Sequence, residues 1–453
     1  MNDVSGQPPA RGGAALYGAS RGVQPAADHG RRGAVLGLAL AAPVVIASGS
    51  IRSEPAHAQV PLPTWVRSVE VVDDGTPLHR APDTGSPRAG VVARGTRLGF
   101  GRRLFGPGCA TGAWIEVGRD GPFACERHLR FSPEPPLAVA QPVVPEGATL
   151  PFQYVFIAVD AAPVFAHPTD VYDGDWIASL GRGWGLVERE RRIFGDVEVV
   201  RTRRGWIEAG LLRRAVASDF EGVAVGEVRD LDFGWVLRDR APLWTAARGG
   251  RIAARASWRQ RLGVRGPVGG RRVPVEGGLW IDDADLARPT VEAVPEAIGS
   301  DEVWIDVDVA EQVLVVWRGA RPIWATLVST GRPGPETQTP TGLHRVWVKL
   351  ATSDMDDVER QDVEHNYAIE QVPWVQYFAG DAGLHAAFWH DDFGRPRSRG
   401  CVNLSPRDAR RLFELTSPAL PAGWQAVFPS DAAPGTWVRV RGDVRRAPRA
   451  AAR

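Results

Sequence analysis

The sequence predicts a mainly β protein: small strand-rich units in series, followed by a β-sandwich-type domain with one or two helices. Three observations carry that reading. With Gly 51 and Pro 37 among 453 residues, the chain holds too many helix breakers for a helix bundle. A Pro…Trp-Ile-acid pattern returns three times between residues 76 and 282, and such self-similarity marks a repeated structural unit. From residue 302 onward, short β-branched runs alternate with Gly, Pro and Asp turns. At 44% hydrophobic and 24% charged, the chain can bury real cores. Its length suits roughly two to four domains. Lys+Arg 54 against Asp+Glu 53 leaves a formal charge of +1, which speaks against a nucleic-acid partner. Lys349 is the sole lysine.

Residues 1–58 read as a low-complexity start and an export signal. Arg31 and Arg32 precede an apolar run from Ala34 to Ala47, and Ala56-His57-Ala58 supplies a small-residue cleavage site. The arginine pair reads as a simple positive n-region; a twin-arginine signal is the alternative, with poorly matched flanks. The run contains Pro43 and is short for a roughly 20-residue span, so only an uncleaved segment would tie the chain to a membrane. Export, to the periplasm or cell wall, bears on the three cysteines. Cys109 and Cys125 lie in one small unit and are expected to pair in an oxidising compartment. Closing that loop is worth about 3 kcal/mol, and a small unit with a thin core gains most from it. Cys401 is left as the odd, candidate reactive thiol.

The repeats fall at 64–132, 151–216 and 226–288. Pro77 precedes Trp114-Ile115-Glu116, Pro163 precedes Trp206-Ile207-Glu208, and Pro242 precedes Trp280-Ile281-Asp282. Each acid step is followed by a leucine and an arginine, as in Leu212-Arg213 and Leu286-Ala287-Arg288. The first unit, with Arg80-Ala81-Pro82 and Gly95-Thr96-Arg97-Leu98, resembles bacterial SH3-like domains, which implies small barrels. Such units either hold cell-wall peptides or act as spacers with each tryptophan a core anchor. Residues 133–150 and 289–300 read as linkers. The arginines at 201, 203, 204, 213 and 214 either meet carboxylates of a wall peptide or form a solvated face.

The domain at 300–442 opens with a strand that puts Val303, Ile305, Val307 and Val309 on one face and Glu302, Asp306 and Asp308 on the other, a half-buried pattern. Val313–Trp317 and Ile323–Ser329 follow as strands, the latter ending in Thr330-Gly331. Thr339-Pro340-Thr341-Gly342 is a turn before Leu343–Leu350. Residues 351–364 are polar and acidic and read as a long excursion of the kind that often forms a lid. Val372–Phe378 returns to strand. Ser405 and Pro406 then read as N-cap and first residue of a helix. Residues 443–453 are an Arg/Ala-rich tail.

Between these lie Gly383-Leu384-His385 and Ser398-Arg399-Gly400-Cys401-Val402-Asn403. Gly400 permits close backbone approach by a substrate. Cys401 suits a nucleophile and His385 its base, an imidazolium beside a thiol lowering the thiol pKa. Together with Ser329-Thr330-Gly331 and Thr339-Pro340-Thr341-Gly342, these motifs resemble the YkuD-type L,D-transpeptidases of bacterial cell walls. The resemblance implies that Cys401 accepts an acyl group from a peptidoglycan stem peptide and that carbapenems acylate it. It implies that the Ala386 carbonyl orients His385, that the N–H groups of Gly400 and Cys401 form an oxyanion hole, and that Trp389, Ser398, Arg399 and Asn403 line the substrate groove. It requires no cofactor. Arg399 stands where the commonest family residue is histidine. A metal site built from His385, His390, Asp391, Asp392 and Cys401 is the rival reading, disfavoured because the local pattern is loop and zinc ligand sets rarely mix this way; no metal is expected. His344 and His365 read as surface or lid residues. A monomer is expected. Crosslinking, L,D-carboxypeptidase action and lipoprotein anchoring stay open, as does a wall-binding protein with a degenerate enzyme domain.

Overall fold

The computed structural model describes residues 61–266, 270–356 and 368–442. The signal-like segment, the tail, His365 and part of the acidic excursion lie outside the described residues. The chain is mainly β, and among the described residues no helix is long and apolar enough to cross a membrane.

One pairing scheme recurs three times. In the first unit Ser68–Val71 pairs with Arg97–Leu98 and Leu129–Ser132, while Thr76–His79 lies between Arg88–Val92 and Phe123–Cys125. In the second, Gln153–Ile157 pairs with Gly185–Glu188 and Leu212–Arg214, and Ala162–Phe165 lies between Trp176–Leu180 and Trp206–Glu208. In the third, Phe233–Val236 pairs with Arg261–Gly263 and Leu286–Ala287, and Ala241–Trp244 lies between Ile252–Ala256 and Leu279–Asp282.

The tryptophan marker of the first unit is displaced by one strand. Trp206 faces Phe165 and Trp280 faces Trp244, and each strand runs through a short 3-10 turn into Leu212 or Leu286. The equivalent residue in the first unit is Phe123, which faces His79 and leads through Glu126–His128 to Leu129. Trp114 lies on the preceding strand, Ala113–Val117. It packs with Leu104, Phe123 and the disulfide that joins Cys109 to Cys125.

No unit forms a closed barrel among the described residues, and the first two each give a strand edge to the C-terminal domain. Arg88–Val92 pairs with Trp424–Val427, and Gly185 pairs with Ile369 on Ala368–Ala379. The first contact depends on Gly90, where a Cβ would fall 2.2 Å from the Trp424 ring. A thirteen-stranded sheet therefore runs through the first two units and the C-terminal domain.

The C-terminal domain stacks a second, six-stranded sheet against this one. Val303–Asp308 sits at its centre, antiparallel to Val313–Arg318 and parallel to Trp437–Arg441. The core between the sheets holds Ile305, Val307, Leu314 and Val316 from one side and Trp374, Phe378, Leu384 and Val402 from the other. Leu412 and Phe413 join it from the helix Pro406–Leu415, which starts as expected with the Ser405 Oγ accepting the Asp408 N–H at 3.2 Å. The last carbonyls of that helix are met by Lys349, which is fully buried and donates to Phe413 O at 2.6 Å and Thr416 O at 2.8 Å.

The expected polar face of Val303–Asp308 is not solvated. The third unit covers it with Phe233, Trp235 and Leu237, so both faces of Val303–Asp308 are buried. Asp306, only 1% exposed, accepts paired hydrogen bonds from Arg439 at 2.8 Å and also bonds to Arg441. Residues 289–300 are no free linker either, since Arg439 donates to Ala293 O and Arg441 to Thr290 O.

Candidate active site

The site is built on two short strands. Ala382–Ala386 pairs antiparallel with Ala368–Ala379 and parallel with Val402–Leu404, placing His385 opposite Asn403. Continuing that register puts Cys401 beside Gly383, and the two-residue pleat turns Gly383, His385, Cys401 and Asn403 to one side. A Cβ at Gly383 would lie 3.0 Å from Tyr377 Cδ1, a tight fit that favours glycine there. Gly400 has φ of +129°, a conformation that favours glycine, and this turn lifts Cys401 into its half-exposed position.

The upstream motifs converge here. Ser329 exchanges both backbone hydrogen bonds with Asn403, at 2.9 Å each. Gly331 bridges to Ser398, and its N–H is held by Thr339 Oγ1 at 2.9 Å. Segments 329–339, 382–386 and 398–403 thus meet around Cys401.

The hydrogen bonds assign protons. His385 Nδ1 lies 3.0 Å from Ala386 O, an acceptor only, so Nδ1 carries the hydrogen and Nε2 presents a lone pair. His390 Nδ1 accepts the Asp392 N–H at 3.3 Å, so its Nε2 carries the hydrogen. Asn403 Nδ2 lies 2.9 Å from that Nε2, and since two donors cannot pair, the amide is assigned turned, with its oxygen toward the ring. Asn403 is buried and braces His390. Ser398 Oγ accepts the Gly400 N–H at 3.1 Å and donates to Cys401 O at 2.5 Å. Of the two expected oxyanion donors, the Gly400 amide is therefore already engaged by Ser398. Trp389, half-buried, stacks on His385 with centroids 5.7 Å apart. Arg399 is exposed.

Burial bears on the charge of the pair. Burial pushes the His385 pKa down to about 4, against a weaker upward pull from the Ala386 carbonyl. Burial pushes the Cys401 thiol up; the Gly383 N–H opposes this and the Asp381 charge adds to it. The thiol donates to Asp381 O at 3.7 Å. Both shifts favour a thiol beside a neutral imidazole over a thiolate–imidazolium pair.

The proposed metal ligands go elsewhere. His390 faces Asn403, Asp391 pairs with Arg259 at 2.6 Å, and Asp392 pairs with Arg397. The arginine cluster meets the chain's own acids: Arg203 and Arg204 reach Glu370, Arg201 reaches Glu190 and Arg214 reaches Glu188. His344 packs beside Phe378.

Sequence reasoning missed the neighbours of the loop 387–399. Tyr154 of the second unit stacks on Phe388 at 3.8 Å. Arg259 of the third unit holds Asp391, and Arg395 donates to Leu237 O at 2.8 Å. No local signal marks Tyr154 or Arg259, since each contact joins residues more than a hundred positions apart.

Residues 302–440 match the family model of the YkuD L,D-transpeptidase catalytic domain. Among solved structures, the L,D-transpeptidase of Stackebrandtia nassauensis is 26% identical, covering 32% of this chain and 58% of that one, with TM-score 0.22. L,D-transpeptidase 3 of Mycobacterium tuberculosis, in complex with a faropenem-derived adduct, is 18% identical over 36% of this chain and 73% of that one, TM-score 0.25. The Mycobacterium smegmatis enzyme is 15% identical over 54% and 91%, TM-score 0.24. The chain spans about half the length of the first solved structures it matches. No curated protein matches it. The match to the L,D-transpeptidase catalytic domain thus falls on the C-terminal part, after the three units.

Proposed function

We propose that the protein is an exported peptidoglycan L,D-transpeptidase that forms 3→3 crosslinks through a thioester on Cys401. The observation that carries this is the His385 tautomer: with Nδ1–H held by Ala386 O, Nε2 is the basic nitrogen, one strand away from Cys401. The Ala386 carbonyl takes the orienting role that a carboxylate has in a Ser-His-Asp triad. His385 Nε2 takes the thiol proton as sulfur attacks the amide between a meso-diamino acid and a terminal D-amino acid. The proton passes to the departing amine, and a thioester remains. The side-chain amine of a second stem attacks the thioester, loses its proton to His385, and displaces the thiolate, which is reprotonated. The Cys401 N–H faces the developing oxyanion. Trp389 and Arg399 border the groove for the stem peptide. No cofactor enters the reaction.

The disulfide in the first unit fits an oxidising compartment outside the cytoplasm. The three units, SH3-like in their sequence pattern, serve here as supports packed on the catalytic domain. Incubation of the purified protein with disaccharide-tetrapeptide, read by mass spectrometry, tests the reading. A crosslinked dimer is expected. A tripeptide monomer alone makes the enzyme a carboxypeptidase, and no change refutes peptidyl transfer.

A further inference from the structure

We propose that the second unit is a working part of the active site, with Tyr154 a positioning residue for His385. A row of rings joins them. Tyr154 stacks on Phe388 with centroids 3.8 Å apart and planes 26° apart. Phe388 meets Trp389 edge-on at 5.1 Å, and Trp389 stacks on His385 at 5.7 Å. Phe388 and Trp389 follow the end of the His385 strand and belong to no strand themselves, so ring packing sets their position. The Ala386 hydrogen bond fixes one edge of the imidazole, and the Trp389 face fixes its plane.

The same tyrosine holds the hairpin that carries the site. Tyr154 Oη donates to Gln371 O at 2.6 Å, and Asp354 Oδ1 accepts the Gln371 N–H at 2.9 Å. Gln371 has φ of +49°, a conformation that persists in a non-glycine residue only when its surroundings hold it. Asp354 and the buried Glu370 are in turn clamped by Arg203 of the second unit, at 2.6 and 2.9 Å, with Arg204 on Glu370 at 3.2 Å. Two legs thus run from one unit to the site, one aromatic and one ionic.

Losing the Tyr154 ring opens space against Phe388, frees Trp389 and admits water to His385. The titratable groups facing His385 are Cys401 on the adjoining strand and His390 in the loop, which itself feels Asp391, Asp392 and Arg397. None of these changes in the variant, so hydration alone moves the imidazole. The inference rests on the transpeptidase reading only in calling His385 the base.

The test is ring-nitrogen NMR titration of His385 in the full chain, beside the rate of Cys401 acylation by a carbapenem at pH 5 and pH 8. Tyr154→Ala should move the His385 midpoint up from about 4 toward the free value. A midpoint near 6 lowers the neutral fraction at pH 5 about tenfold, so the ratio of the two rates should fall about tenfold. Tyr154→Phe keeps the ring and should keep the wild-type midpoint, which a merely stabilising role does not require. Tyr154→Leu replaces the alanine variant if that one does not fold. An unchanged midpoint in both ring-deleted variants overturns the proposal. A moved midpoint without any acylation of the wild-type enzyme supports the positioning role and refutes the transpeptidase reading.

Discussion

The resting state of the Cys401–His385 pair has a direct kinetic signature. A small alkylating reagent such as iodoacetamide reacts with the thiolate, so its rate against pH reports the thiol pKa. Burial holds that pKa above its ordinary value of 9.0. The thiolate is then about one per cent or less of the enzyme at pH 7, and alkylation should keep rising to beyond pH 9. Acylation by a carbapenem should behave differently, because His385 takes the proton during attack. With its pKa near 4, His385 is neutral and competent from about pH 5 upward, so the acylation rate should be nearly flat between pH 5 and 8. Replacing His385 by Ala separates the two curves further. Alkylation should keep its midpoint, since a neutral imidazole does not set the thiol pKa. Acylation should drop about a hundredfold or more. An alkylation midpoint below 7 that rises in His385→Ala would identify a thiolate–imidazolium pair and refute the reasoning.

Cys401→Ala should abolish turnover with unchanged circular dichroism; more than about a tenth of the rate retained sinks the nucleophile. Lys349 is buried to a pKa of about 7 against 10.5 when unfolded. Above pH 7 the unfolded state binds the extra proton, so stability rises with pH until about 10.5. The difference in urea midpoint between wild type and Lys349→Met should widen in favour of wild type from pH 7 to 9.5, and a constant difference removes the argument. Asp306→Ala leaves Arg439 and Arg441 buried without their shared carboxylate and should cost about 3–5 kcal/mol in urea unfolding. Reducing the Cys109–Cys125 bond should lower the melting temperature of the first unit and leave Cys401 acylation unchanged, which differential scanning calorimetry with a parallel acylation assay checks.

The candidate site could be picked out because its parts are local and chemically marked: a glycine before a cysteine, a glycine-leucine-histidine step, a serine and proline opening a helix. The repeats were legible for a similar reason, yet the first one was aligned on Trp114 when Phe123 holds the equivalent place. A large aromatic packs well on either of two adjacent strands, so residue type alone does not fix which strand it marks. Asp306 and Asp308 looked solvated because alternation reads as one wet face. The arginines and the third unit that cover that face lie far along the chain. The joins at Gly90–Val427 and Gly185–Ile369 are made by backbone groups, which every sequence has. The direction of the His385 and Cys401 shifts was not legible either: motifs name groups, and burial acts on their charge.

The backbone joins also say what happens if the chain is divided. A piece spanning only 300–442 would keep the strands that carry His385 and Cys401, but Trp424–Val427, Ala368–Ala379 and Arg321–Leu327 would each lose backbone partners supplied by the preceding chain. Unpaired backbone edges are templates for another chain. Such a fragment is therefore sticky, and the chain upstream acts on it as a built-in edge guard.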